Sequence, residues 1–231
     1  MEPSPMDHPI LTESLALIQQ RLPPTGFHGV QQDVLVRLIH SSGDWRLATA
    51  LRCPTAACEQ AMAALADGAP ILTDTAMAAA AVNPMARRTF ANTVLNGLAW
   101  APGVAPSGQT RAALGLAAAV QQHPRSVVVI GSAPTALLHL LALGRQGRLA
   151  APVLVVGMPV GFVGVREAKA ALARSGWPHV RLEGSRGGAG LAAAVVNALL
   201  RRAWLDGEEC NTDGNKRAWK AGLSSAPGSS A

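Results

Sequence analysis

The chain has 231 residues, 49% of them hydrophobic, and a net charge of +6, which suits one α/β domain with a full core. Aromatic residues make up 3% and Tyr is absent, so the core is built from Ala, Leu and Val, and base-stacking platforms for single-stranded nucleic acid are disfavoured. The charge comes from scattered Arg without a basic motif, which argues against nucleic acid as a partner and suits a carboxylate-bearing ligand, because the guanidinium fork binds carboxylates two-pronged.

Met1 to Asp7 carries Pro and acids, with neither the basic nor the apolar region of a signal peptide, so a cytoplasmic location is expected. Apolar spacing predicts helices over 10–20 and 29–42, separated by Pro23, Pro24 and Gly26 and stopped by Gly43. A third helix is expected over 54–67, opening on Pro54. Ala69 to Thr73 reads as a short strand, and Asp74 is placed to cap the helix after it. A second strand is expected near 91–95. Strict alternation follows: helix 110–121, strand 126–130, helix 134–144, strand 153–156, helix 164–175, strand 180–182 and helix 188–202. This pattern predicts an α/β fold, a single domain with a mainly parallel central sheet flanked by helices on both faces. Ligands of such sheets bind at the carboxyl ends of the strands. The domain is expected over residues 1–205, with 206–231 a disordered polar tail. The most apolar window, Ser126 to Leu143, contains Gly131, Pro134 and His139, so it reads as strand, turn and helix and predicts no membrane span.

Two glycine-rich turns link strands to helices. One is Ile130-Gly131-Ser132-Ala133-Pro134-Thr135. The other runs Gly157-Met158-Pro159-Val160-Gly161-Phe162-Val163-Gly164. Glycine permits close backbone approach, and a helix N-terminus offers free N–H donors to an anion; a plain tight turn is the competing reading. Neither turn carries the dinucleotide fingerprint or the phosphate-loop Lys, so nucleotide cofactors are disfavoured. Cys53 and Cys58 lie five apart without a second Cys/His pair, which points to reduced thiols and no metal site. His40 ends an amphipathic helix and can exchange a proton near neutral pH; a capping role competes with that reading. His139 reads as a packed helical residue, while His123 and His179 abut Pro in loops. Arg111 stands where a helix begins and can clamp a carboxylate or lie free on the surface.

Taken together, residues 8–202 resemble the precorrin-8X methylmutase family. The resemblance rests on His8-Pro9-Ile10 with Ser14, on Val36 to Asp44 around His40, and on Gly68 to Asp74 with Met77. It continues through Thr110-Arg111, Ile130 to Leu137, Gly157 to Gly164 with Glu167 and Lys169, and Gly187-Gly188 with Asn197-Ala198-Leu199. Three positions depart from the family pattern: Glu13 for a frequent Arg, Ser132 for Asn and Ala168 for Ser.

The resemblance implies an isomerase without cofactor or metal, acting in cobalamin biosynthesis. It implies a methyl shift from C-11 to C-12 of a tetrapyrrole (corrinoid) substrate, precorrin-8X or cobalt-precorrin-8, giving hydrogenobyrinic or cobyrinic acid. It further implies a homodimer, His40 as the catalytic acid and Arg111 as the substrate clamp, with Ser14 close to the ring. Met77, Met158, Val160 and Phe162 are expected to cover the ring, and Gly131, Ser132, Thr135, Gly157, Pro159 and Gly161 to line its site. A non-catalytic corrinoid-binding paralogue is the alternative, and His40 favours the enzyme.

Overall fold

The computed structural model describes residues 7–212. In chain order it contains α1 (Pro9–Arg21), α2 (Val30–Ser42), α3 (Leu47–Ala50), β1 (Leu51–Arg52), α4 (Thr55–Ala66), β2 (Ile71–Thr73) and α5 (Ala76–Arg88). It continues with β3 (Val94–Asn96), a 3₁₀ turn (Gly97–Trp100), α6 (Arg111–Gln122), β4 (Val127–Ile130), α7 (Pro134–Arg145), β5 (Leu154–Gly157), α8 (Val165–Ala173), β6 (His179–Leu182) and α9 (Ala189–Thr212). The six strands form one sheet in the order β1-β6-β5-β4-β2-β3. Every pairing is parallel except that of β1 with β6, which puts one antiparallel edge on the sheet. The strand–helix alternation therefore yields the expected architecture.

Every residue of β4 and β5 is buried, as expected of strands covered on both faces. Their side chains divide with period two. Val127, Val129, Leu154 and Val156 enter one core, with α1, α2, α4, α5 and α9. Val128, Ile130 and Val155 enter the other, with α6, α7 and α8. Small residues bring these layers close. A methyl group on Gly115 of α6 would collide with the carbonyl of Gly97 in the 3₁₀ turn, and one on Gly144 of α7 with Trp177.

Several features depart from the sequence-based expectations, among them the short helix α3 and the 3₁₀ turn after β3. The edge strand β1 is only two residues long, too short for a periodic signal. Thr75, not Asp74, caps α5, accepting from Ala78 N–H at 3.4 Å. Helix α9 continues past Arg202 because Arg202 and Asp206 pair one turn apart at 2.7 Å, while Leu199, Leu200 and Ala203 keep its inner face buried. Residues 213–231 of the expected tail lie outside the described residues.

Candidate active site

His40 sits in the last turn of α2. Two devices finish that helix. Gly43 takes a left-handed conformation (φ 66°) and donates its N–H to Ile39 C=O at 2.8 Å. Ser42 Oγ donates to Leu38 C=O at 2.9 Å and accepts from Asp44 N–H at 3.1 Å. Thus Ser42 and Gly43 do the capping, and the His40 imidazole is left exposed, with Ser14 Oγ of α1 2.7 Å from its Nδ1. Partial burial, with the Arg37 guanidinium one turn back, holds His40 below its ordinary pKa. Beside it, Ile10, Leu17 and Trp45 leave 70%, 42% and 42% of their surface uncovered and, with Glu13 and Ser14, line a groove of about 270 Å³.

The glycine-rich turns lie at the carboxyl ends of β4 and β5, fastened mainly by backbone. Met158 N–H donates to Ile130 C=O at 2.8 Å, Val160 N–H to Gly131 C=O at 3.2 Å, and Gly188 N–H to Met158 C=O at 2.9 Å. Gly131 has to lack a side chain, because a Cβ there would stand 2.6 Å from the backbone of Ala189. A Cβ on Gly187 would strike the Met158 carbonyl. Asp74, fully buried, accepts from Ser132 N–H at 2.7 Å and Ala133 N–H at 2.8 Å. Two amides at the start of α7 that looked free for a ligand are therefore held by the protein's own carboxylate.

Arg111 opens α6 next to its cap Thr110, whose hydroxyl lies 2.9 Å from that of Thr135 on α7. The Arg111 side chain is anchored by Nε–H to Pro102 C=O at 2.9 Å. This leaves its terminal nitrogens available to an oxyanion. Met77, Val160 and Phe162 are 67%, 50% and 96% exposed, joined by Val104 at 85% and Val163 at 88%. Met158 instead points into the core, and Gly157 and Pro159 are buried with it. The structure thus brings Ser14 to His40, Thr135 to Thr110 and Arg111, and Gly131 to the second turn.

Residues 183–188 tie these parts together. Arg186 pairs with Asp44, just beyond α2, at 3.1 Å, while Gly161 N–H donates to Ser185 C=O at 3.2 Å. Lys169 of α8, 2% exposed, donates its ammonium to the carbonyls of Gly184 at 3.0 Å and Arg186 at 2.5 Å. Burial, with Arg181 nearby, pulls Lys169 down to about 8.

The precorrin-8X methylmutase family model matches residues 9–202. The chain belongs to this family. A Synechocystis protein named cobalt-precorrin-8 methylmutase is 37% identical over 217 residues, which cover 88% of this chain and 99% of that one. A precorrin-8X methylmutase of Pseudomonas aeruginosa is 40% identical over 195 residues, covering 82% and 93%. The solved precorrin-8X methylmutase of Thermus thermophilus is 36% identical, with a TM-score of 0.75 over 90% of this chain and 100% of that one.

Ala168, one of the three departures expected from the resemblance, lies in the core against α7, where a hydroxyl would lack water. Glu13 faces the groove beside Ser14. Two other histidines play other parts: His123 ends α6 edge-on to Trp100, and His179 opens β6, its Nδ1–H donating to Trp177 C=O at 2.8 Å. His179 therefore belongs to a strand, not a loop. Cys53 and Cys58 are free buried thiols with sulfurs 3.3 Å apart; the contact and burial push the Cys53 thiol far up. Among the described residues, no group of three or more His, Cys, Asp or Glu side chains is arranged to hold a metal ion. No described helix is long and apolar enough to cross a membrane.

Proposed function

We propose that this chain acts as an isomerase of cobalamin biosynthesis, moving one methyl group on precorrin-8X or its cobalt form. Substrate and product are isomers: the bond from the methyl group to C-11 breaks as the bond to C-12 forms, so no oxidant or acceptor is needed. What the protein has to supply is a fixed shape of the macrocycle and a proton in the right place. The observation that carries this reading is the Ser14–His40 contact at 2.7 Å, in a helix end already capped by other groups. A histidine freed from capping duty and held through Nδ1 presents Nε2 to a ligand. A positioned general acid contributes about 10²–10⁴-fold.

Arg111 is the proposed clamp for a peripheral carboxylate, since its backbone anchor sets the guanidinium before the ligand arrives. Met77, Val160 and Phe162 offer apolar cover for the ring, with Thr135, Ser132 and the glycine backbones of Gly131 and Gly161 beside them, while Gly157, buried with Met158, supports the turn from below. So much uncovered apolar surface at one edge also fits a homodimer in which a second copy closes the site. A cytoplasmic location fits the same biosynthetic role. Nothing in the fold or the comparisons favours a purely corrinoid-binding role. The test is incubation of the purified chain with precorrin-8X, and separately with cobalt-precorrin-8, while following the visible spectrum of the product. Failure to convert either substrate, with binding retained, would leave corrinoid binding as the function.

A further inference from the structure

The outer flank of α8 and the end of β6 border a cavity of about 340 Å³ that is open to solvent, lined by Arg166, Lys169, Arg174, Arg181 and Glu183. Residues 183–188 and the start of α8, which follows the second glycine-rich turn directly, connect it to the candidate active site. Four cations face one carboxylate there, and that carboxylate is already engaged. Its Oε2 accepts from Arg52 at 2.7 Å and its Oε1 from Arg181 at 3.2 Å. Among the described residues, no acidic group pairs with Arg166 or Arg174.

Two donors at the wall are also unfilled. Arg181 is 14% exposed in its side chain, and its Nε is buried without a hydrogen-bond partner. The Lys169 ammonium has three N–H groups and gives one each to Gly184 and Arg186. Buried donors of this kind are normally satisfied by water, an ion or a ligand. A second arginine cluster supplies the contrast. Between α1, α2 and α9, Arg201 pairs with Asp7 at 2.6 Å, and Arg202 pairs with Asp206 at 2.7 Å and Asp33 at 3.3 Å. Arg37 completes that cluster, with its own buried Nη1 lacking a partner, so three guanidiniums there meet the three carboxylates of Asp7, Asp33 and Asp206, whereas beside α8 four cations share Glu183.

We propose that the α8–β6 cavity binds an oxyanion, a carboxylate or phosphate group, and that the bound anion tightens residues 183–188 through Lys169. This goes beyond the proposed activity, and its binding part does not depend on it. A guanidinium and an ammonium around one cavity match the lone pairs of such an anion. Lys169 would then link the anion to the backbone that fastens Arg186 to Asp44 and Ser185 to Gly161.

The experiment is thermal melting of the full chain with inorganic phosphate, against chloride at matched ionic strength, for wild type, Arg181→Gln and Arg174→Gln. Wild type should show a saturable rise of roughly 3–6 °C at ten times the dissociation constant, and both variants much less. Arg174 is exposed, so its variant keeps the test valid if Arg181→Gln fails to fold. An equal rise in chloride, or an undiminished rise in Arg174→Gln, overturns the site. Hydrogen exchange then tests the link: amides of residues 184–188 should slow when phosphate is bound, and unchanged exchange refutes the coupling. Competition between phosphate and the tetrapyrrole would identify a substrate carboxylate as the natural occupant, and simultaneous binding a free small anion; either requires the site to exist.

Discussion

The histidine end of the site and its glycine-rich edge are built in opposite ways. His40 and Ser14 meet through side chains alone, on two helices, with the imidazole exposed. Gly131, Met158, Val160 and Gly188 are joined through backbone groups, and Asp74, which holds the amides of Ser132 and Ala133 in the first turn, is fully buried. The first region can lose a side chain and keep its fold. The second is shape itself, so damage there reaches stability before chemistry. Under the proposed function, the contrast separates the group that would move a proton from those that would seat the macrocycle.

The largest expected effect is on turnover. His40→Ala should lose at least ~10²-fold in single-turnover conversion, following the usual size of general-acid effects. Its melting temperature should stay near wild type, because exposed substitutions usually change stability by less than about 0.5 kcal/mol. Equal turnover rates would return His40 to a surface role. Asp74→Ala should act the other way, removing two charge-assisted bonds and stranding two amides, for a loss of about 3 kcal/mol or more. Calorimetry should show a fall of roughly 6–12 °C in a chain of this size. A fall below ~2 °C would mean that water replaces the carboxylate. Arg111→Lys should leave stability alone and weaken product binding by about 1.5–3 kcal/mol, roughly ten- to a hundredfold, because Lys loses both the anchor to Pro102 and the fork. Unchanged affinity in titration calorimetry would make Arg111 a bystander.

Much of this was legible in the sequence because it is local. The glycines of both turns, the helix stop at Gly43 and the alternation of buried strands are set by neighbours within a few residues. What escaped reading is carried by long-range pairs. Asp74 looked like a helix cap, yet its carboxylate reaches an amide 58 residues away. Ser14 and His40 are 26 apart, and only the packing of α1 on α2 decides that they touch. Lys169 sat in a recognisable motif, but its burial and its grip on Gly184 and Arg186 depend on how α8 lies over β6. Met158 reads as an apolar turn residue, and nothing local says that it faces the core.

The finest test of the comparison is Ser14→Ala, which alters the histidine end without removing its acid. In the imidazolium Nδ1–H donates to Ser14 Oγ, which fixes the ring and leaves Nε2–H toward the ligand. Losing one such bond is worth about 0.5–1.5 kcal/mol, or roughly two- to twelvefold in turnover. The pH profile supplies the second readout. Burial and Arg37 depress the His40 pKa, so the imidazolium gives way to the neutral ring at a lower pH than in a free histidine. If the imidazolium is the acid, kcat/KM of wild type should fall as pH rises through this depressed value. In the complex the substrate's carboxylates favour the cation, so the limb of kcat should lie at higher pH. Because Arg37 and burial remain in Ser14→Ala, its kcat/KM limb should still lie below the ordinary value while the plateau drops. A limb that vanishes in His40→Ala but persists in Ser14→Ala ties the proton to the imidazole. A limb common to both variants would assign the titration to another group and remove His40 from proton transfer.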